Sequence, residues 1–178
     1  MKFINLWVYA AAAAGTHNLR FVQGDWYAYG SNEAFDGVVS LQTLSWLPEH
    51  ESALQVVFDR IAPRWVGLSS LFYEGDISCR IEVHEHPRDR RSFYNVIALP
   101  ALARLAQRHG YVLERFEPFR IDVDLPRPAD PDRMATYTRR VVDEPGGEPE
   151  RLQLSGPLLM SWYMVLLRRK DAAATASA

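Results

Sequence analysis

The chain has 178 residues, of which 48% are hydrophobic and 24% are charged. These proportions suffice for one sizeable core and favour a single globular domain over two. The formal net charge is −2, and the arginines are scattered among acidic residues, so neither nucleic acid nor an anionic membrane is expected as a partner. The most hydrophobic run, residues 158–167, is too short to cross a bilayer, which takes roughly twenty residues.

A single cysteine, Cys79, can form neither an internal disulfide nor a cysteine-rich zinc site, so a reducing, cytoplasmic setting is expected. The first fifteen residues have some features of a secretory signal, but Asn5 interrupts the apolar region and only one lysine precedes it. Alanines that end at Gly15 also describe a helix followed by a glycine, and we favour this interpretation.

The first half of the chain predicts a strand, a helix and a further strand in the order of a βαβ unit. A short strand over 19–22 leads into a loop, and a second strand over 35–40 has the unbroken apolar centre of a strand covered on both faces. A helix over 51–62 follows, because its apolar residues recur at helical spacing, and residues 65–72 form another buried strand. The class is therefore α/β.

The middle of the chain predicts one strand outside the main sheet and then a helix. Residues 77–84 alternate strictly between apolar and polar, which is typical of a half-exposed strand, and charged residues over 85–91 turn the chain. A helix over 100–109 has a proline in its first turn and ends at Gly110, and a strand over 111–118 follows it.

The last third predicts extended chain, a hairpin and one more strand. Alternation over 119–125 continues the extended chain to the edge of the sheet. Residues 137–142 and 151–154 flank a Pro-Gly-Gly turn and predict a polar hairpin. A final buried strand is expected over 158–167, and the tail over 171–178 is expected to be disordered.

Two loops stand out as candidate ligand sites, because ligands of open α/β sheets gather beyond the carboxyl ends of the strands. After the first predicted strand, Gly24 precedes Asp25, whose carboxylate can accept a hydrogen bond from an exocyclic amine, and Trp26, whose indole can cover a planar ring. A solvated aspartate beside a core tryptophan is the simpler explanation of the pair when it is taken alone.

The second loop begins with a polar mouth formed by Ser40, Leu41 and Gln42 and continues into a hydrophobic wall. That wall includes Trp46 and Pro48, which also suit a hydrophobic staple and a helix start.

Taken in order, residues 21–26, 35–40 and 44–48 resemble the middle motifs of class I S-adenosylmethionine-dependent methyltransferases. The helices and strands predicted downstream resemble the second half of that seven-stranded fold, so the resemblance covers nearly the whole chain. It implies a Rossmann-like, mostly parallel sheet with flanking helices and an antiparallel last strand, and it makes residues 1–170 a single partial methyltransferase domain.

The resemblance also implies a cofactor, S-adenosylmethionine, and roles for the two loops. Asp25 would contact the adenine amine and Trp26 would line the adenine ring, with Gly24 as a further cofactor-binding residue of the same turn. Ser40, Leu41 and Gln42 would face the methionine part and the methyl group.

One departure from the family pattern concerns its amino-terminal motifs. The family begins with a strand and a glycine-rich loop, but no Gly-x-Gly occurs here before Gly146 and Gly147, which makes the chain resemble an N-terminally truncated domain. A non-catalytic binding or scaffold module derived from a methyltransferase is therefore the alternative, either alone or as a homodimer completed by strand exchange.

Methyl transfer mainly requires that nucleophile, methyl group and sulfur be aligned and water be excluded. The insertion at 73–95 and the hairpin at 127–155 occupy places where folds of this family usually build an acceptor pocket, so the resemblance implies a small-molecule acceptor with Tyr73, Tyr94 and Asn95 as candidate contacts. A base is not obligatory. Candidates for one are the acidic, tyrosine and histidine side chains near the mouth: Tyr73, Glu74, Asp76, Tyr94, His84 and His86.

Two further groups are weaker signals. His84 and His86 can present two imidazoles on one side of a strand, but no third ligand is near in sequence, so no metal site is expected. The cluster over 88–91 contains three arginines that can grip a phosphate, although a solvated turn is the favoured explanation.

Overall fold

The computed structural model describes residues 24–30, 33–142 and 145–171. The expected helix before Gly15, the strand over 19–22 and nearly all of the tail lie outside these residues. The helices are α1 (His50–Gln55), which continues as a π-helical segment (Val56–Ile61), and α2 (Leu99–Arg108). The strands are β1 (Gly37–Leu41), β2 (Trp65–Tyr73), β3 (Glu82–Glu85), β4 (Arg90–Phe93), β5 (Ile97–Ala98), β6 (Tyr111–Pro118), β7 (Thr136–Val141), β8 (Glu150–Ser155), β9 (Leu158–Leu159) and β10 (Trp162–Arg169).

The main sheet has the strand order β1-β2-β10-β6, and β5 pairs with the end of β2. β1 is parallel to β2, with Gly37 opposite Trp65 and Leu41 opposite Ser69. β10 is antiparallel to both β2 and β6, which agrees with the expected direction of the last strand. Because β5 is parallel to β2 as well, the sheet is evenly mixed, rather than mostly parallel as expected.

The helix predicted over 51–62 is present over 50–61, and its second half is wound as a π-helix. The amide of Ala62 donates to the carbonyl of Val57, five residues earlier, at 2.9 Å. Ala62 then adopts the left-handed conformation with φ of 49°, and Pro63 ends the helix. The wider turn keeps Val57 and Phe58 buried against the sheet.

The second helix and the strand that follows it also form as predicted. α2 buries Leu102, Leu105 and Ala106, and Gly110 takes the left-handed conformation (φ 78°) that reverses the chain into β6. At the start of β6 the buried Tyr111 hydroxyl donates to the carbonyl of Pro63 at 2.6 Å, so the end of the first helix is tied to the sheet.

Both helices pack on the same face of the sheet. The main core contains inward residues of β2 and β10 together with residues of both helices: Val66, Leu68, Val165, Leu167, Leu54, Phe58, Leu102 and Leu105. Within the described residues the opposite face carries exposed apolar side chains, namely Val39, Leu41, Trp65, Val112 and Met164. The expectation that residues 35–40 are covered on both faces is therefore not met in this part of the chain.

The Trp65 indole lies over Gly37, its partner on β1, on this exposed face. A Cβ atom at position 37 would overlap the indole ring. Gly37 thus allows a large aromatic ring to lie flat on the neighbouring strand.

The chain over 119–125 is not the strand that its alternation predicts. Side chains supply part of its hydrogen bonding: the Gln153 side-chain amide donates to the Phe119 carbonyl at 2.9 Å, and the Leu125 amide donates to Thr138 Oγ1 at 2.8 Å. Among the described residues, its main-chain hydrogen bonds occur only at its two ends, from the Phe119 amide to the Trp162 carbonyl and from the Thr138 amide to the Leu125 carbonyl. Partners from β7 and β8 therefore replace a ladder along this segment.

The predicted single strand over 158–167 is also wrong, because the structure divides it into β9 and β10. β9 is the third strand of the sheet β7-β8-β9, whereas β10 lies in the main sheet. The break falls at Met160 and Ser161, where the Met160 amide donates to Gln153 and the Ser161 carbonyl accepts from Phe72. A continuous apolar run can contribute strands to two sheets, and its hydrophobicity does not show where the chain passes from one sheet to the other.

The predicted polar hairpin is confirmed as β7 and β8, which pair antiparallel. The segment predicted as a strand over 77–84 is strand only from Glu82, and β3 pairs antiparallel with β4 outside the main sheet. The charged turn between them is a 3-10 helix over 86–88, followed by Asp89 in the left-handed conformation. No helix in the described ranges has the length and apolar character needed to cross a membrane.

Candidate functional site

The first candidate loop forms a tight turn beside the start of α1. Asp25 Oδ1 accepts a hydrogen bond from the amide of Tyr27 at 3.0 Å, which stabilises the turn through an aspartate side chain. The Tyr27 hydroxyl in turn accepts from the amide of Glu49 at 3.2 Å. The turn is thereby fixed to the residue that precedes α1.

This turn lines a mainly apolar pocket of about 380 Å³. Its walls come from the turn, from the start of β1 and from the first helix, and they include Trp26, Tyr29, Val38, Val57 and Ile61. Gly24 and Asp25 line it as well. An aromatic and aliphatic cavity with one carboxylate nearby suits a planar heterocycle that carries an amino group, such as adenine.

The second candidate loop lies at the other end of β1. Ser40 is buried, Leu41 is exposed, and Gln42 adopts a left-handed conformation (φ 54°) with its amide donating to the Ser69 carbonyl at 2.7 Å. The apolar pocket touches β1 at Gly37 and Val38. At about 3.3 Å per residue, roughly 10 Å of strand separates the two groups, so they lie along one strand without sharing a pocket.

The segment around Tyr94 and Asn95 packs against the loop that follows β1. The Asn95 amide donates to the Ser45 carbonyl at 2.8 Å, and its side chain donates to the Leu47 carbonyl at 2.6 Å. The rings of Tyr94 and Trp46 have centroids 4.8 Å apart. Asn95 therefore has a structural role in positioning this loop, and Tyr94 forms an aromatic pair beside it.

A polar cleft of about 430 Å³ opens next to this aromatic pair. It is lined by Trp46 and Tyr94, by charged residues of the β3-β4 hairpin and by residues from the stretch before β7. Tyr94 is the one predicted acceptor contact that lines it; Asn95 lines a different depression, and Tyr73 is half-exposed. Sequence reasoning missed Glu85, Asp130 and Arg133, because nothing in the spacing links residues that lie 45 positions apart.

Three of the other candidate bases, Asp76, Glu74 and His84, are engaged in hydrogen bonds. Asp76 is gripped by both terminal nitrogens of Arg104 at 2.6 and 3.1 Å, and these hydrogen bonds lower the pKa of its carboxyl group. Glu74 accepts a hydrogen bond from the Tyr163 hydroxyl at 2.8 Å. His84 Nε2 lies 2.9 Å from Asp89 Oδ1, with its ring 4.3 Å from that of His86. Across residues 24–30, 33–142 and 145–171, no three such side chains are grouped as metal ligands.

The fold and these sites define a mixed α/β protein with few helices. No family model matches the sequence, and no curated protein matches it. One solved structure with a similar course of the chain is 1,6-didemethyltoxoflavin-N1-methyltransferase from Burkholderia thailandensis, with bound 1,6-didemethyltoxoflavin and S-adenosylhomocysteine. The two chains are 15% identical with a TM-score of 0.49, and the likeness covers 93% of this chain. It covers 56% of the methyltransferase, so this chain spans little more than half of that protein's length.

Proposed function

We propose that this chain carries the second half of an S-adenosylmethionine-dependent methyltransferase fold and contributes to methyl transfer to a small molecule. Asp25 and Trp26 hold the adenine ring in this proposal, and the loop at 40–42 lies toward the methionine end. S-adenosylmethionine supplies the methyl group from its sulfonium centre.

The observation that most supports the proposal is the position of the last strand. The motifs at 21–26, 35–40 and 44–48 resemble those of the family, and the resemblance implies an antiparallel strand late in the chain. β10 has that direction and lies between β2 and β6.

The pocket at the first loop supports the cofactor assignment. Trp26 and Tyr29 offer aromatic surface, and the exposed Asp25 retains acceptor capacity, since only Oδ1 takes part in the turn. An adenine amine can donate to such a carboxylate while the ring packs on the apolar walls.

A non-catalytic binding module derived from such an enzyme is the second candidate. The observation that favours it is the roughly 10 Å of β1 between the adenine-type pocket and the loop at 40–42. An enzyme must bridge that separation with one bound cofactor, whereas a binding module needs the pocket alone.

The experiment is a calorimetric titration of the purified 178-residue protein with S-adenosylhomocysteine, repeated with Asp25→Ala. Asp122→Ala is the control for loss of an exposed carboxylate, because Asp122 is also exposed and lies outside both pockets. We expect saturable binding that weakens by about tenfold or more in Asp25→Ala and is unchanged in Asp122→Ala, since one hydrogen bond to a charged group contributes about 1.5–3 kcal/mol.

Equal affinity of the two variants would remove Asp25 from the site. A folded protein that does not bind S-adenosylhomocysteine would favour the non-catalytic module over the enzyme.

A further inference from the structure

The cleft beside Trp46 and Tyr94 combines an aromatic floor with charged walls. Tyr94 is buried beneath the cleft. Trp46 packs on it but keeps 40% of its surface exposed. Burial raises the pKa of Tyr94, so its side chain stays a neutral phenol around neutral pH. The floor therefore presents an open indole surface supported by a fixed ring.

One wall of the cleft is an ion-pair network centred on Arg88. Its two terminal nitrogens reach Asp130 Oδ2 at 2.8 Å and Glu85 Oε2 at 3.2 Å, and one of them also donates to the carbonyl of Asp132. The Glu85 side chain is only 9% exposed. These contacts join the β3-β4 hairpin to the loop before β7 and leave Arg88 little capacity for a ligand.

Two other arginines keep donor capacity toward the cleft. Arg90 approaches Glu85 at 3.9 Å, which is an ion pair without a hydrogen bond. The Arg133 guanidinium lies near Asp130 but makes no hydrogen bond or ion pair among the described residues. Three guanidinium groups thus face two carboxylates, so the cleft has one excess positive charge and unused N–H groups.

We propose that this cleft binds a planar organic anion, with its ring on Trp46 and its carboxylate or comparable anionic group on Arg133 and Arg90. The guanidinium N–H groups match two acceptor oxygens of one anionic group. The cleft volume of about 430 Å³ suits a single aromatic or heteroaromatic acid. The role of the anion as the methyl acceptor rests on the proposed function. The binding of the anion does not depend on the cofactor.

The test is a titration of the full chain, without cofactor, with 4-hydroxybenzoate as the anionic probe and 4-hydroxybenzamide as its neutral counterpart. We expect the carboxylate to bind about tenfold or more tightly than the amide and to weaken as salt is added. Arg133→Gln should raise the dissociation constant of the carboxylate about tenfold and leave that of the amide unchanged. Arg139→Gln, which removes an exposed arginine on β7 away from the cleft, should change neither.

Trp46→Leu tests the aromatic floor independently of the arginines. It should raise the dissociation constants of both probes by a similar factor. Equal binding of the two probes, no saturable binding by the folded protein, or carboxylate binding unaffected by Arg133→Gln would each overturn the proposal. Titration with S-adenosylhomocysteine reports on the pocket beside Asp25, not on this cleft. Loss of cofactor binding and loss of anion binding can therefore be told apart.

Discussion

Several polar side chains near the carboxyl ends of β1 and β2 are buried without a hydrogen-bond partner among the described residues. They are the hydroxyl groups of Ser40, Ser45 and Ser70 and the side-chain carbonyl of Asn95. A buried polar group without a partner costs about 1–3 kcal/mol of stability. Such groups often mark a place where function has been favoured over stability.

Ser40→Ala is expected to raise the free energy of unfolding by about 1 kcal/mol, because it removes a buried hydroxyl that makes no hydrogen bond. Affinity for S-adenosylhomocysteine should be unchanged, since the buried Ser40 hydroxyl is not accessible to a ligand. Denaturant unfolding and calorimetric titration measure the two quantities. Ser161→Ala is the matched control and should lose about 1 kcal/mol, because the Ser161 hydroxyl donates to the Phe72 carbonyl at 3.0 Å.

A tenfold loss of affinity in Ser40→Ala would contradict this, and would mean that the hydroxyl turns toward the cofactor.

At the residue scale, the sequence predicts sites that lie within one loop better than sites assembled from distant loops. Asp25 and Trp26 are adjacent, and they line one pocket. The cleft joins residues of the β3-β4 hairpin to Arg133, and the arginines at 88–91 look like a solvated turn from sequence alone. Only the position of the stretch before β7 shows that two of them face a cleft.

At the scale of elements, the β7-β8 hairpin is held to the chain before it by Asp124. Arg140 on β7 donates to the Asp124 carboxylate at 2.7 Å, and Arg151 on β8 donates to it at 2.8 Å. The hydrogen bonds from Arg140 and Arg151 lower the pKa of Asp124 to about 2. One carboxylate therefore links both strands of the hairpin to the irregular segment over 119–125.

The Asp124 carboxyl group is expected to titrate at about pH 2 in the folded protein, which carbon-detected NMR can measure. Because its pKa is lower in the folded state than the ordinary value of 3.8, its contribution to stability is present above about pH 4 and is lost as the pH falls toward 2. Asp124→Asn should remove that part of the acid dependence, whereas Asp122→Asn should leave it intact. An ordinary pKa for Asp124 would show that Arg140 and Arg151 do not form these hydrogen bonds with it when the protein is in solution.

The local sequence pattern predicts most of the helices and strands, but it does not predict which segments of backbone pair with each other. The helices over 51–62 and 100–109 and the strands over 65–72 and 111–118 have periodic or continuous apolar runs, and each forms within a residue or two. The failures at 119–125 and 158–167 have another cause, because there the backbone partners come from distant chain. Gln153 and Thr138 occupy the backbone groups of the first segment, and two different sheets divide the second.

At the scale of the whole molecule, the two faces of the main sheet differ. One face packs against α1 and α2, and Val66 on it is fully buried. On the other, Val39 remains 56% exposed and lies among further exposed apolar residues. Contiguous exposed apolar surface of this kind lowers solubility and favours association with other molecules, and it adds little to internal packing.

The same substitution on the two faces should give different results. Val39→Thr is expected to change the free energy of unfolding by no more than about 0.5 kcal/mol, because the side chain is already largely in water. Val66→Thr should cost about 1–3 kcal/mol, because it buries a hydroxyl group in an apolar core. Denaturant unfolding of the two variants measures the difference.

Similar losses in both variants would show that the face bearing Val39 is covered in solution.

The place of β10 in the sheet has a consequence for how the protein is made. β10 is the last described element along the chain, yet it lies between β2 and β6 and supplies Val165 and Leu167 to the core. During synthesis on the ribosome, β2 and β6 therefore emerge long before the strand that joins them. Until residue 169 has left the exit tunnel, the edges of β2 and β6 that pair with β10 stay open, and such unpaired strand edges can pair with other chains and aggregate.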